Sequence, residues 1–133
     1  MTTRVASCSC GQFRVTCEGE PVRISICHCL ECQKRTGNVF ATQARFPRER
    51  VTIEGRAIQW TRTGDSGGSA TFQFCPVCGS TVCWEGGGIP GAIAVAVGAF
   101  ADPKFPPPLV SVYEDRQHSW ALSAGELPLE RQA

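Results

Sequence analysis

Nine cysteines, most of them in short-range clusters, constrain this chain more than any other feature. Seven of them are separated from a neighbouring cysteine by only one or two residues: Cys8, Cys10, Cys27, Cys29, Cys32, Cys75 and Cys78. Disulfide geometry disfavours bridges between such close neighbours, and the odd count argues against a complete disulfide framework. Two thiolates at these spacings instead suit one shared metal ion, with each sulfur about 2.3 Å from it.

The segment Cys75-Pro76-Val77-Cys78-Gly79 carries the most specific of these signals. Its proline fixes a turn, and its glycine can adopt a positive φ while backbone N–H groups point at the sulfurs. The pattern is typical of a zinc knuckle. A redox-active Cys-x-x-Cys pair is the rival interpretation, but it does not explain the Cys-x-Cys spacings.

Seven ligands divide naturally into a set of four and a set of three. Four thiolates complete a tetrahedral structural site, whereas three leave a coordination position open for chemistry. Spacing alone leaves two partitions open. In the first, Cys8 and Cys10 join the knuckle and the triplet at 27, 29 and 32 forms the open site. In the second, Cys29 and Cys32 join the knuckle as a zinc ribbon.

The two remaining cysteines stand in apolar surroundings. Cys17 alternates with Phe13 and Val15, which places it on the core side of a strand. Cys83 lies beside Trp84 in a short apolar run. We predict that both are small buried core residues.

Alternation of apolar and polar residues predicts strands along most of the chain. We expect strands over residues 13–17, 22–26, 40–46, 70–74, 93–97 and 109–113, a hairpin over residues 51–60 that turns at Gly55, and glycine-rich loops at 64–68 and 86–91. The parity of the second strand places Cys27 and Cys29 on the side opposite the core. The expected fold is a single, mainly β domain of residues 1–133, with antiparallel sheets pinned by structural zinc.

One short helix interrupts the predicted strands. The segment Leu30 to Thr36 fits about two turns, and Gly37 is a typical helix stop. Cys32 would return from its first turn toward the metal. Lys34 and Arg35 on this helix are expected either to pair with a substrate carboxylate or to form a solvated face. His28 is expected to lie off the metal.

Charge and composition narrow the function further. Thirteen basic and twelve acidic residues give a formal charge of +1, which argues against a dedicated binder of nucleic acid or anionic membranes. The sequence has no secretory signal and no apolar run long enough to span a bilayer, so we expect a cytoplasmic protein.

Several motifs follow one another in a recognisable order: Cys8-x-Cys10-Gly11, Cys27-His28-Cys29-x-x-Cys32, Thr36-Gly37, Phe74-Cys75-Pro76-x-Cys78-Gly79 and the GAFADP segment of residues 98–103. Over residues 8–120 the chain resembles the glutathione-dependent formaldehyde-activating enzyme family, which also includes centromere protein V-like proteins. The resemblance implies an Mss4-like, β-tent fold.

The resemblance also implies two zinc ions per chain. A structural zinc would bind Cys8, Cys10, Cys75 and Cys78, and a more labile catalytic zinc would bind Cys27, Cys29 and Cys32. The implied reaction joins formaldehyde to glutathione, giving S-hydroxymethylglutathione, and is classed as a carbon–sulfur lyase reaction. A small thiol and an aldehyde are therefore the expected partners, with the substrate thiolate at the open position of the second zinc.

Two other functions compete with this enzyme. A non-catalytic zinc module would bind protein or nucleic acid, but only residues 45–50 (RFPRER) form a basic run. A methionine sulfoxide reductase of the B type has a related zinc-bearing β fold. It would require Cys83 as a reactive thiol, which an apolar context disfavours.

Overall fold

The computed structural model describes residues 1–64 and 68–133. These residues form one α-helix, α1 (Leu30–Thr36), and ten β-strands: β1 (Thr3–Ser7), β2 (Arg14–Glu18), β3 (Arg23–Cys27), β4 (Ala41–Pro47), β5 (Val51–Glu54), β6 (Ile58–Thr63), β7 (Ser69–Phe74), β8 (Thr81–Gly86), β9 (Ala92–Ala96) and β10 (Val110–Val112). The middle of the predicted loop at 64–68 lies outside the described residues.

The strands form two sheets of unequal size. Strands β1, β2 and β5 make a three-stranded sheet, and the other seven are ordered β10-β3-β4-β9-β8-β7-β6. Neighbouring strands are antiparallel except for β10, which runs parallel to β3. The prediction of a mainly β fold with antiparallel sheets and one short helix is confirmed.

The hydrophobic core lies between the two sheets. Phe13, which precedes β2, packs with Val15 and Cys17 of that strand in one buried cluster that also contains residues of the large sheet, among them Phe46 and Cys83. Both cysteines are fully buried, as predicted. Burial raises the pKa of each of these two thiols to about 12, so they are protonated packing groups at neutral pH.

The helix has the predicted bounds, but two other parts of the chain differ from the prediction. Gly37 ends the helix with a φ of 70° and donates its backbone N–H to the Gln33 carbonyl oxygen. Val97, predicted at the end of a strand, instead begins a short 3-10 helix over Val97–Phe100. The large sheet also contains β8, which the sequence did not predict as a strand. Its apolar run had indicated only that Cys83 is buried.

The predicted hairpin over residues 51–60 is wrong. Strand β5 pairs with β2 in the small sheet, whereas β6 pairs with β7 in the large one. At the turn, Gly55 has a φ of 97°, and a Cβ there would lie 2.0 Å from the Gln12 carbonyl oxygen. The Gln12 side chain also accepts a hydrogen bond from the Arg56 amide at 2.9 Å and donates one to its carbonyl at 2.8 Å. Gln12 therefore holds a crossing between sheets at the position where sequence indicates a hairpin turn.

We predict that Gly55→Ala destabilises the protein by more than about 2 kcal/mol, because the added Cβ meets backbone and the residue keeps a positive φ. Gly37→Ala is the matched control, since it also has a positive φ but no atom within 4 Å of the added Cβ. It should cost only about 1 kcal/mol. Urea unfolding curves measure both, and equal midpoints for the two variants would contradict the prediction.

Candidate functional site

The first candidate metal centre connects the two sheets. Cys8 and Cys10 follow β1, and Cys75 and Cys78 follow β7. Their four sulfur atoms all lie within 4.8 Å of one another. The Cys8 and Cys10 sulfurs are 3.6 Å apart, and those of Cys10 and Cys75 are 3.7 Å apart. Sulfurs bound tetrahedrally to one ion at about 2.3 Å would be about 3.8 Å apart, so this set fits a single metal ion.

Hydrogen-bond donors surround these sulfurs. The Phe13 amide donates to the Cys8 sulfur at 3.3 Å, and the Val77 amide donates to the Cys75 sulfur at 3.4 Å. The Gln12 side-chain amide also donates to the Cys75 sulfur, at 2.9 Å. Because N–H donors favour the charged form of a thiol, the surroundings suit metal-binding thiolates.

The turn after β7 has the geometry that its sequence predicts. Gly79 adopts a φ of 81° and donates its amide to the Cys75 carbonyl oxygen at 2.9 Å. The hydroxyl and backbone of Ser80 lower the pKa of the Cys78 thiol to about 5. This thiol is therefore ionised at neutral pH, which is the form that binds a metal.

The second candidate centre forms where β3 meets α1. Cys27 is the last residue of β3, and the Cys29 side chain caps α1 by accepting a hydrogen bond from the Cys32 amide at 3.3 Å. The Cys27 and Cys32 sulfurs are 3.4 Å apart. All three sulfurs lie within 4.8 Å of one another, and no further His, Cys, Asp or Glu of the described residues joins them. The group therefore offers three donors.

Hydrogen bonds and positive charges act on this three-sulfur group. The pKa of the Cys32 thiol is lowered to about 5, mainly by a hydrogen bond with Cys27. A hydrogen bond with Cys29 and the positive charges of Arg35 and Arg62 lower this pKa further. The same hydrogen bond with Cys32, together with burial, raises the pKa of Cys27. The group is therefore only partly ionised near neutral pH, and binding of a metal ion would release the remaining protons, because thiols bind metals as thiolates.

Several buried side-chain polar atoms have no hydrogen-bond partner. Within residues 1–64 and 68–133, such side-chain atoms belong to Arg23, His28, Arg35, Gln43 and Arg45. Arg23 pairs with Arg45 across β3 and β4, on the side of the sheet that also carries Cys27. A buried donor or acceptor left unpaired costs about 1–3 kcal/mol. Of these residues, Arg35 and Arg45 interact electrostatically with sulfurs of the group, which marks the region beside them as a candidate site for a ligand or an ion.

His28, which was expected to lie off the metal, is buried away from solvent. It is 0% exposed, its Nε2 atom lies 3.1 Å from the Ser111 hydroxyl oxygen, and its ring packs 6.0 Å from that of Phe40. It does not belong to the three-sulfur group. The last strand, β10, therefore supplies the contact that orients this ring.

A cleft of about 420 Å³ lies between α1 and strands β6 and β7. Its walls include the cationic side chains of Lys34, Arg35 and Arg62 and the aromatic rings of Trp60, Phe72 and Phe74. The cations that lower the pKa of Cys32 thus also line this cleft. None of the three cysteines lines the cleft, which is connected to the three-sulfur group through Arg35 and Arg62.

The two cations predicted beside the site differ in their surroundings. Lys34 is exposed and pairs with Glu31 at 3.9 Å, as expected for a solvated helix face. The Arg35 guanidinium carbon instead lies 4.3 Å from the ring centroid of Trp84 and 4.7 Å from that of Phe72. Burial lowers the pKa of this guanidinium. Arg35 is therefore an inward-facing cation held on aromatic rings.

The features that favour the competing functions are weak in the structure. Within the basic run of residues 45–50, Arg45 is only 6% exposed and Arg48 pairs with Glu85, so the run is not one basic surface. Cys83 is fully buried with a raised pKa, unlike the reactive thiol that a reductase requires.

Comparison with known proteins identifies the family. A family model of glutathione-dependent formaldehyde-activating enzymes matches residues 3–116. The chain belongs to this family. The fold is similar to that of a Rhodobacter sphaeroides protein whose crystal structure is known, with a TM-score of 0.60. The two sequences are 18% identical, and the match covers 80% of this chain and 98% of that chain. No curated protein matches the sequence. No helix among the described residues is long and apolar enough to cross a membrane.

We predict that the two cysteine groups differ in their effect on folding. Cys78→Ala should give unfolded or insoluble protein, because a structural metal in a small domain contributes on the order of 10–16 kcal/mol. Cys29→Ser, the matched variant in the other group, should remain folded and lose one metal ion per chain. Native mass spectrometry and thermal unfolding check both. A folded Cys78→Ala variant with an unchanged melting temperature would contradict the prediction.

Proposed function

We propose that this protein is a zinc-dependent carbon–sulfur lyase that acts on a small thiol or its aldehyde adduct, as an S-hydroxymethylglutathione synthase does. The observation that carries the proposal is the group of Cys27, Cys29 and Cys32, which offers three sulfur donors and no fourth among the described residues. Membership of the formaldehyde-activating enzyme family supports the same reaction class.

The reaction needs no oxidant or further reactant. In the condensation direction, the thiol sulfur bonds to the carbonyl carbon as the carbonyl π bond breaks, and the proton lost by the thiol ends on the new hydroxyl oxygen. The lyase direction reverses these changes. Ionisation of the thiol is the step that an enzyme can assist, because the thiolate is the nucleophile.

The proposed cofactors are two zinc ions, a structural one on the four-sulfur group and a catalytic one on the three-sulfur group. A zinc ion with three sulfur ligands would supply a fourth position that keeps a substrate thiolate ionised near neutral pH. The start of α1 fixes the directions of the Cys29 and Cys32 sulfurs. Arg35 and Arg62 place positive charge beside them, which offsets the negative charge that a substrate thiolate brings.

The proposed substrates are glutathione or a related small thiol, together with formaldehyde or another aldehyde. We place this reaction in the cytoplasm, where thiols remain reduced. The cationic cleft beside the three sulfurs gives such an anionic thiol a favourable approach.

We predict that the zinc-loaded protein accelerates exchange between free and hydroxymethylated thiol, and that Cys27→Ser returns the exchange rate to its uncatalysed value. NMR exchange spectroscopy is the suitable measurement, because formaldehyde and thiols also combine without a catalyst. Cys17→Ala is the control: it removes a core thiol outside the site and should retain the acceleration. The proposal would be refuted if Cys27→Ser accelerated the exchange of every thiol as much as the wild-type protein does.

A further inference from the structure

We propose that the cleft between α1 and strands β6 and β7 binds the carboxylate of the substrate thiol, that the preferred thiol has a flat aromatic body, and that Arg35 is the residue that selects it. This inference rests on the proposed function, since it places the thiol end of the same ligand at the three-sulfur group.

Arg35 carries unused hydrogen-bond donors in a fixed position. Its Nε and Nη2 atoms are buried without a partner, and the described residues contain no ion pair of this side chain with a carboxylate. Its guanidinium is held against the rings of Trp84 and Phe72. A guanidinium held in one orientation presents a planar fork of donors that matches a carboxylate.

No carboxylate among the described residues pairs with Arg35, whose charge interacts instead with the sulfurs of Cys32 and Cys29. Glu31, the carboxylate on this wall, lies 3.9 Å from the Lys34 ammonium and 4.0 Å from a terminal nitrogen of Arg62. The Glu31 carboxylate therefore forms ion pairs with Lys34 and Arg62. An anionic ligand that enters the cleft would supply the carboxylate partner that Arg35 lacks, which is an argument from charge complementarity.

Aromatic rings form the apolar surface of the cleft. The rings of Trp60 and Phe72 are stacked on neighbouring strands, with centroids 6.0 Å apart and planes at 28°. Trp60 is 52% exposed, so part of this flat surface is open to a ligand. Stacking on such a surface favours a planar apolar body over a flexible peptide chain.

The position of Arg35 on α1 connects the cleft to the three sulfurs. Arg35 follows Cys32 by three residues, so the two side chains are neighbours on one face of the helix, with about 5–6 Å between their Cβ atoms. A thiol and a carboxylate on opposite sides of one aromatic ring can therefore reach both groups. We choose 4-mercaptophenylacetate as the acidic probe and its primary amide as the matched neutral probe.

Calorimetric titration of the full-length zinc-loaded protein tests the inference without an aldehyde. The wild type should bind the acid about tenfold more tightly than the amide, a difference of about 1.4 kcal/mol. In Arg35→Met, which retains apolar packing on the rings, the two affinities should agree within about twofold. Arg14→Met removes an exposed arginine of the small sheet and should retain the preference.

The outcomes separate this inference from the proposed function. The role of Arg35 would be overturned if the wild type bound the acid and the amide equally, or if Arg35→Met kept the preference for the acid. The preference for a flat body would be overturned if the protein bound glutathione more tightly than the aryl acid. If Arg35→Met does not fold, the wild-type comparison and Arg62→Met decide. If the protein prefers the acid but does not accelerate thiol exchange, the binding role of the cleft stands and the proposed lyase activity fails. If it accelerates exchange without preferring the acid, the lyase activity stands and the binding role of the cleft fails.

Discussion

The four-sulfur group is the constraint on which the remaining structure depends. It brings the turn after β1 and the turn after β7 together, and so connects a three-stranded sheet to a seven-stranded one. A sheet of three short strands has little stability unless its apolar face is covered, and the large sheet provides the cover. Gln12 strengthens the same junction, because its side chain contacts both the Cys75 sulfur and the backbone of Arg56.

The sequence predicted those parts of the fold whose signals are local. Helix α1 has the expected bounds because the cap at Cys29 and the stop at Gly37 lie at its own ends. Buried strands followed from alternation. The hairpin at Gly55 was wrong for the opposite reason: a glycine with positive φ suits a hairpin and a crossing equally. The partner that decides between them is Gln12, 44 residues from Arg56 in sequence.

The candidate site divides in the same way. Spacing was sufficient to predict which cysteines share a short segment, and the structure brings both groups together. The inward turn of Arg35 depends on Trp84 and Phe72, whose pairing follows from the register of β7 and β8. The burial of Arg45 and His28 likewise depends on strands that arrive from other parts of the chain. No short sequence window contains that information, so these residues emerged only from the fold.

The location of the cleft separates the parts of the molecule that maintain its shape from the part that faces a ligand. One wall belongs to β6, an edge strand that pairs on one side only and carries the exposed ring of Trp60. Neither Trp60 nor Arg62 is a member of the core cluster between the sheets or of either cysteine group. Single exchanges on this outer strand can therefore reshape the cleft while leaving the folding of the scaffold intact, which gives the architecture a route to new ligand preferences in small evolutionary steps.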